Sequence, residues 1–341
     1  MTGSVWLALL PGAAFFLGWL LTGMCRFLAL KLGVLDFPGS RSAHSVPTPR
    51  GGGLAIVAVV LAASLAFCGL DFLDRRELQV LWLGGVPIAA VGLWDDLTSL
   101  PVRRRLLVQV LAVGAATLWC RGTLAGAWGW IGVLSWVWLV NLYNFMDGID
   151  GLAAVEAVTV ALGGAVIAGF GGDLHLAAWL LTLAAACGGF LIWNWPPARI
   201  FMGDVGSGFL GFVMGMLVLV GGHTGAVNRW SWLILLAVFV TDASVTLARR
   251  IFRGERWWRA HSSHAYQHLA RRLGHKCVTM LVGLVNLVWL LPLAWLAARF
   301  PQWGWCITLA AYLPLGVLAL RFRAGLPAGR VEGKRAMGDN S

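Results

Sequence analysis

The sequence predicts an all-α, polytopic integral membrane protein of about eleven transmembrane helices, with the N-terminus outside and the C-terminus inside. Three observations carry that expectation. Of 341 residues, 59% are hydrophobic and 12% charged, with a mean hydropathy of +0.78, against roughly 45–50% apolar and about 25% charged in an ordinary soluble domain. Apolar runs of 14 to 20 residues recur along the whole chain, and the short segments between them hold nearly every charge. Basic residues are also distributed unequally between the two sets of connections.

A spanning helix needs about 20 apolar residues. The runs fall near 5–24, 53–70, 78–94, 106–120, 128–143, 152–170, 174–193, 207–222, 230–248, 279–298 and 303–320. The first has no Lys or Arg before Arg26, so it lacks the charged leader of a signal peptide and is expected to stay as an anchor. The fourth is the shortest. With the N-terminus outside, the outer connections hold five basic residues (Arg75, Arg76, Arg121, Arg229, Arg299) and the inner side the other 21 of 26. That asymmetry is the positive-inside pattern. It also accounts for the net charge of +11 through topology and anionic lipid heads, with no need of nucleic acid. Six scattered cysteines, none in a CxxC pair, read as small hydrophobes.

Carboxylates are scarce, so their positions are informative. Asp36, Asp95, Asp96, Asp147, Asp150, Asp204 and Asp242 sit at or near the inner ends of the runs. Asp95 and Asp96 close the third run, where the negative end of a helix disfavours anions. A compensating cation or a proton-transfer role would explain them, and so would a solvated loop. In NLYNFMDGIDGLA, Asp147 and Asp150 stand three apart between glycines that let backbone approach a ligand, and Asn144 shares a face with Asp147 if the fifth helix continues. An N-cap accounts for one of these residues. NWPPARIFMGDVGSGF carries Asn194, Phe201, Asp204 and Ser207 into the eighth run, a helix start that suits either a cap or an anion site. The longest inner connection holds His261, His264 and His268 among eight Lys and Arg. His261 and His264 share a helical side, although an amphipathic surface helix reads equally well. Asp242 lies inside the ninth run, as a functional group or as a partner of Arg249 or Arg250.

In order, the chain presents Asp36-x-Pro38, Arg41, His44, Pro47-x-Pro49-Arg50-x-Gly52-Gly53, Asp95-Asp96, Asn144-Phe-Met-Asp147-Gly-Ile-Asp150-Gly, Asn194 with Pro197-Ala-Arg-Ile-Phe201-Met-Gly-Asp204-x-Gly-Ser207, and the histidine loop. This pattern resembles the polyprenyl-phosphate N-acetylhexosamine-1-phosphate transferases, nearest those that initiate O-antigen. It departs in the last motif, where relatives carry HxHH or HHH and this chain has Ser262, Ser263 and Ala265.

The resemblance implies transfer of a sugar-1-phosphate from a UDP-N-acetylhexosamine to undecaprenyl phosphate with release of UMP. The cofactor it implies is Mg2+, with Mn2+ as a substitute. Asp204 would lead the metal ligands, with Asp147 and Asn194; Asn144, Asp150, Phe201 and Arg50 would bind substrate, Phe201 by stacking on uracil. Asp95 or Asp96 would orient or deprotonate the lipid phosphate, and His261 and His264 would stabilise the leaving phosphate, with His268 and His275 mattering less. Residues 1–320 would form one transmembrane catalytic domain, facing the cytoplasm from a bacterial inner membrane, and 321–341 a disordered basic tail. Association as a homodimer is left open. The rival is a transporter or flippase for anionic headgroups, whose site would lie near the midplane in repeated halves; here the polar residues gather at one face and no repeat is present.

Overall fold

The structure, a computed structural model, describes residues 2–38, 46–121, 127–219, 225, 227–255 and 261–327. Arg41 and His44 lie outside the described residues. Each apolar run is helical over nearly all of its described residues: α1 Thr2–Leu32, α2 Gly53–Gly69, α3 Arg75–Thr98, α4 Val102–Arg121, α5 Ala127–Met146, α6 Leu152–Phe170, α7 Leu174–Asn194 and α8 Gly203–Leu219, then the pair α9 Arg229–Leu235 and α10 Ala237–Phe252, then α12 His275–Arg299 and α13 Gly304–Arg321. The short helix α11 Ala265–Leu273 lies between α10 and α12.

Among the described residues, six segments are long and apolar enough to cross a membrane (α3, α6, α7, α12, Val5–Leu32 of α1, and Pro301–Arg321, which contains α13), or seven if the α9–α10 pair, bent by 71°, is one span. Length and apolarity alone thus support fewer crossings than the eleven runs suggested. α4 opens on three arginines, α5 ends among Asn141 and Asn144, and α2 and α8 have only 17 residues each.

α8 is the centre of the bundle. Every residue from Val205 to Leu217 is buried, and α3 and α5 pack along it. Glycines permit that approach, as small residues do between membrane helices. A Cβ on Gly92 would meet the Asp204 carbonyl oxygen at 2.4 Å, and one on Gly53 would meet the Gly206 Cα at 2.3 Å. α1 packs on α7, which packs on α6. Two residues of β1 (Leu35–Asp36) pair antiparallel with β2 (Thr48–Pro49). Backbone bonds from Gly52 N to Phe201 O (3.0 Å), Gly53 N to Met202 O (2.9 Å) and Phe201 N to Pro49 O (2.8 Å) then tie this ladder to the start of α8.

Expected disorder from 321 onward is corrected at its first residues. Residues 322–326 form a turn after α13, with Ala324 fully buried. Residues 328–341 lie outside the described residues.

Candidate active site

A cavity of about 270 Å³ opens where α1, α3, α5 and α7 end and α2, α6, α8 and α12 begin. Alternating chain direction therefore delivers the separate motifs to one end of the bundle. Asp36, Arg50, Asp96, Asn144, Asp147, Asp150, Asn194, Phe201 and Asp204 all line it. Gln267 and His275, which the sequence reading had not placed there, complete the wall.

Asp96 is 4% exposed. Its carboxylate accepts from the backbone of Asp204 (3.0 Å) and Val205 (3.1 Å), capping α8 from another helix. Arg50 donates to its backbone carbonyl. Of the two readings of this helix start, the cap is realised, with Asp96 as its acceptor, and Asp96 thereby positions Asp204. Asp95 is committed as well: it accepts from Leu100 N and from Arg105 Nη1 at 2.6 Å. The same Arg105 nitrogen donates to Asp204. Arg105 was invisible in the sequence as a site residue, because the run Arg103 to Arg105 is fully explained by topology.

Asn144 donates to Ser207 Oγ (3.0 Å), joining the end of α5 to α8. Asp147 follows in the loop, where burial, and then Asp204, Asp96 and Asp150, push its carboxyl well above the ordinary range. Such a cluster favours a compensating cation. Asp150 accepts from Ala198 N (3.0 Å), its carbonyl from Thr279 Oγ1 (2.9 Å), and His275 Nδ1 lies 3.3 Å from Oδ1. Asn194 accepts from Gly151 N and donates to Ile200 O, both at 2.9 Å. Asn194 and Asp150 thus pin the 148–151 and 195–200 loops. Among the described residues no group of three His, Cys, Asp or Glu is set to hold a metal ion. Asp147 and Asp204 supply two carboxylates, which fits a hard cation that takes its remaining ligands from water and phosphate.

The histidines differ from expectation. His264, only 2% exposed, donates through Nδ1 to Asp242 at 3.3 Å and starts α11 in a capping box with Gln267. Asp242 also accepts from Ala265 N (3.0 Å) and Tyr266 N (2.9 Å); Arg249 instead bonds Ala324 O, and Arg250 lies 3.3 Å from Glu255. Asp242 is therefore the anchor of this loop. His261 stacks on His264 with centroids 4.9 Å apart, and burial, with His264 and Arg250 nearby, lowers its pKa to about 3. Neither ring lines the cavity. Both sit behind Phe145, while Tyr266 donates to Phe145 O (2.9 Å) and presses on Gly148. His275, expected to matter less, reaches the cavity itself.

Similarity to known proteins agrees with this arrangement. Residues 78–222 match glycosyl transferase family 4. A Bacillus subtilis protein named a probable undecaprenyl-phosphate N-acetylglucosaminyl 1-phosphate transferase is 30% identical over 289 residues, covering 79% of each chain. This chain belongs to the polyprenyl-phosphate N-acetylhexosamine-1-phosphate transferase family. Other relatives are a decaprenyl-phosphate N-acetylglucosaminephosphotransferase of Mycolicibacterium smegmatis, 30% identical over 78% of this chain and 75% of its own, and a phospho-N-acetylmuramoyl-pentapeptide-transferase of Synechococcus, 35% identical over 72% and 73%. The family matches overlap the cavity residues from Asp96 to Asp204.

Proposed function

We propose that this protein transfers an N-acetylhexosamine-1-phosphate from a UDP-sugar to undecaprenyl phosphate, releasing UMP and starting a lipid-linked surface polysaccharide of the O-antigen kind. The observation that carries the reading is the carboxylate cavity at the helix ends, bordered by Arg50, Arg105 and Phe201, in a chain of this family. The 21 to 5 division of basic residues supports a site facing the cytoplasm of a bacterial inner membrane.

An oxygen of the acceptor phosphate attacks the sugar-bound phosphorus, a new P–O–P bond forms, and the bond to the UMP oxygen breaks. Little covalent work falls to the protein; it positions two anions and offsets charge. Mg2+, held by Asp204 and Asp147, would neutralise pyrophosphate oxygens as a Lewis acid. The chain's own groups do the rest. Asp96 fixes the Asp204 backbone, and Arg105 holds the Asp204 carboxylate. Phe201 offers a ring face for the uracil. A phosphate ester's second pKa is about 6, so the acceptor arrives largely ionised and the commitments of Asp95 and Asp96 remove no required base.

The test mixes purified protein, magnesium, undecaprenyl phosphate and a panel of UDP-N-acetylhexosamines, and measures UMP and lipid-linked product. Asp204→Asn should abolish turnover in folded protein. Near-normal magnesium-dependent turnover in that variant would remove Asp204 from its role.

A further inference from the structure

The histidine loop is held from two sides, by α10 and by the turn that follows α13. On one side Asp242 fixes His264 and the start of α11. On the other lies the turn after α13. Gly325 N donates to Ser263 O at 2.7 Å, and Ser263 Oγ lies 3.1 Å from His261 Nδ1. His268 Nε2 donates to Leu326 O at 3.1 Å, and Arg249 Nη1 to Ala324 O at 2.9 Å. Ala324 packs, fully buried, with Ala265 and Ala319.

This turn is built at a conformational cost, which argues against a casual helix end. Arg323 has φ +63° and Gly325 φ +74°, backbone that side chains adopt rarely. A Cβ on Gly325 would meet both Arg249 Cβ and Thr246 O at 2.9 Å. Glycine there lets the chain lie directly on α10 and reach Ser263.

We propose that residues 322–326 are a positioning strap: the backbone of Gly325 holds Ser263, and Ser263 sets the His261 ring. The strap's effect on turnover rests on the proposed function, while its effect on loop order does not. The Ser263 hydroxyl orients the neighbouring His261 ring. Burial and the nearby His264 lower the His261 pKa to about 3, and the Ser263 hydroxyl lies within hydrogen-bond reach of its Nδ1.

Two truncations and two substitutions test this. Full-length protein, chains ending at Pro327 and at Arg321, Gly325→Val and Ser263→Ala are purified in detergent and compared for thermal unfolding, for hydrogen exchange of the peptide spanning 261–264, and for UMP release. Ending at Pro327 should change nothing. Ending at Arg321, or Gly325→Val, should speed exchange of that peptide and lower kcat about tenfold with the KM for the UDP-sugar little changed, since the cavity wall is intact. Adding Ser263→Ala to the Arg321 chain should cost no more than the truncation alone, because the two changes break successive links of one path, Gly325 to the Ser263 backbone and the Ser263 hydroxyl to His261. If the Arg321 chain is too unstable to purify, Gly325→Val and Ser263→Ala carry the comparison, which needs protein with wild-type melting. Unchanged exchange at 261–264 in Gly325→Val and the Arg321 chain would overturn the strap. Faster exchange at 261–264 in the variants, with a full-length protein that releases no UMP from any UDP-sugar, would overturn the proposed reaction and leave the strap standing.

Discussion

Arg105→Ala should tighten magnesium binding while weakening the metal-free protein. One guanidinium nitrogen serves both Asp95 and Asp204, so the cation competes for the carboxylate that would lead the metal site. A unit pair about 4 Å apart attracts by about 4 kcal/mol at an effective dielectric near ~20. The Arg105 and Asp204 side chains are 26% and 28% exposed, and solvent screening reduces the interaction to about 1–2 kcal/mol. Released from Arg105, Asp204 should bind Mg2+ roughly tenfold more tightly, since about 1.4 kcal/mol is a factor of ten. Without metal, Asp95 and Asp204 lose their shared cation, so the melting temperature should fall; added Mg2+ should recover more of it than in wild type. Calorimetric titration and thermal unfolding across a magnesium series measure both. An affinity that is unchanged or weaker in Arg105→Ala would refute the competition.

Three further outcomes follow from the same geometry. Burial and neighbouring carboxylates hold the Asp147 carboxyl well above its ordinary range, so the folded protein binds a proton that the unfolded chain releases. Metal-free stability should therefore fall as pH rises through that raised pKa, and magnesium affinity should rise over the same interval as the proton is displaced; a flat pH profile of magnesium affinity would contradict it. Phe201→Ala should raise the KM for the UDP-sugar about tenfold, since stacking a base on an aromatic is worth about 1–3 kcal/mol; a drop in melting temperature with unchanged KM would make Phe201 a packing residue. Gly203 has φ +77°, and a Cβ there would meet Asp96 Oδ2 at 2.5 Å, so Gly203→Ala should cost about 1–3 kcal/mol from the backbone alone and slow UMP release by displacing the Asp96 cap, which unfolding and turnover assays read separately.

The places of the helices were legible because apolar length is a one-dimensional signal, and so were the carboxylate loops, because charges are rare in such a chain. Asp147 and Asp204 were found as cavity residues for that reason, Asn144 through its helical spacing from Asp147, and Phe201 through its place in the Asp204 motif. Partners were less legible. Nothing in the spacing of Asp96 says that its oxygens reach the amides of a helix more than a hundred residues away. Arg105 was hidden by a sufficient alternative, since inner loops collect arginine whatever their chemistry. His264 and His275 were exchanged for a related reason: histidine pairs suggest shared function, whereas burial against Asp242 and access through the start of α12 are three-dimensional facts. The turn at 322–326 was hidden because glycine and arginine in a terminal segment also describe a solvated tail.

The centrality of α8 bears on how the chain is put together during synthesis. Its 17 described residues rise about 26 Å at 1.5 Å each, and neighbours cover it from Val205 to Leu217. Its glycines leave backbone that lipid tails would have to face bare. This segment gains little by partitioning alone and much by docking between α3 and α5, which emerge earlier from the ribosome. The helices it docks between all precede it in the chain, as do Asp96 and Arg105, the two groups that restrain Asp204, so its partners are made before it is.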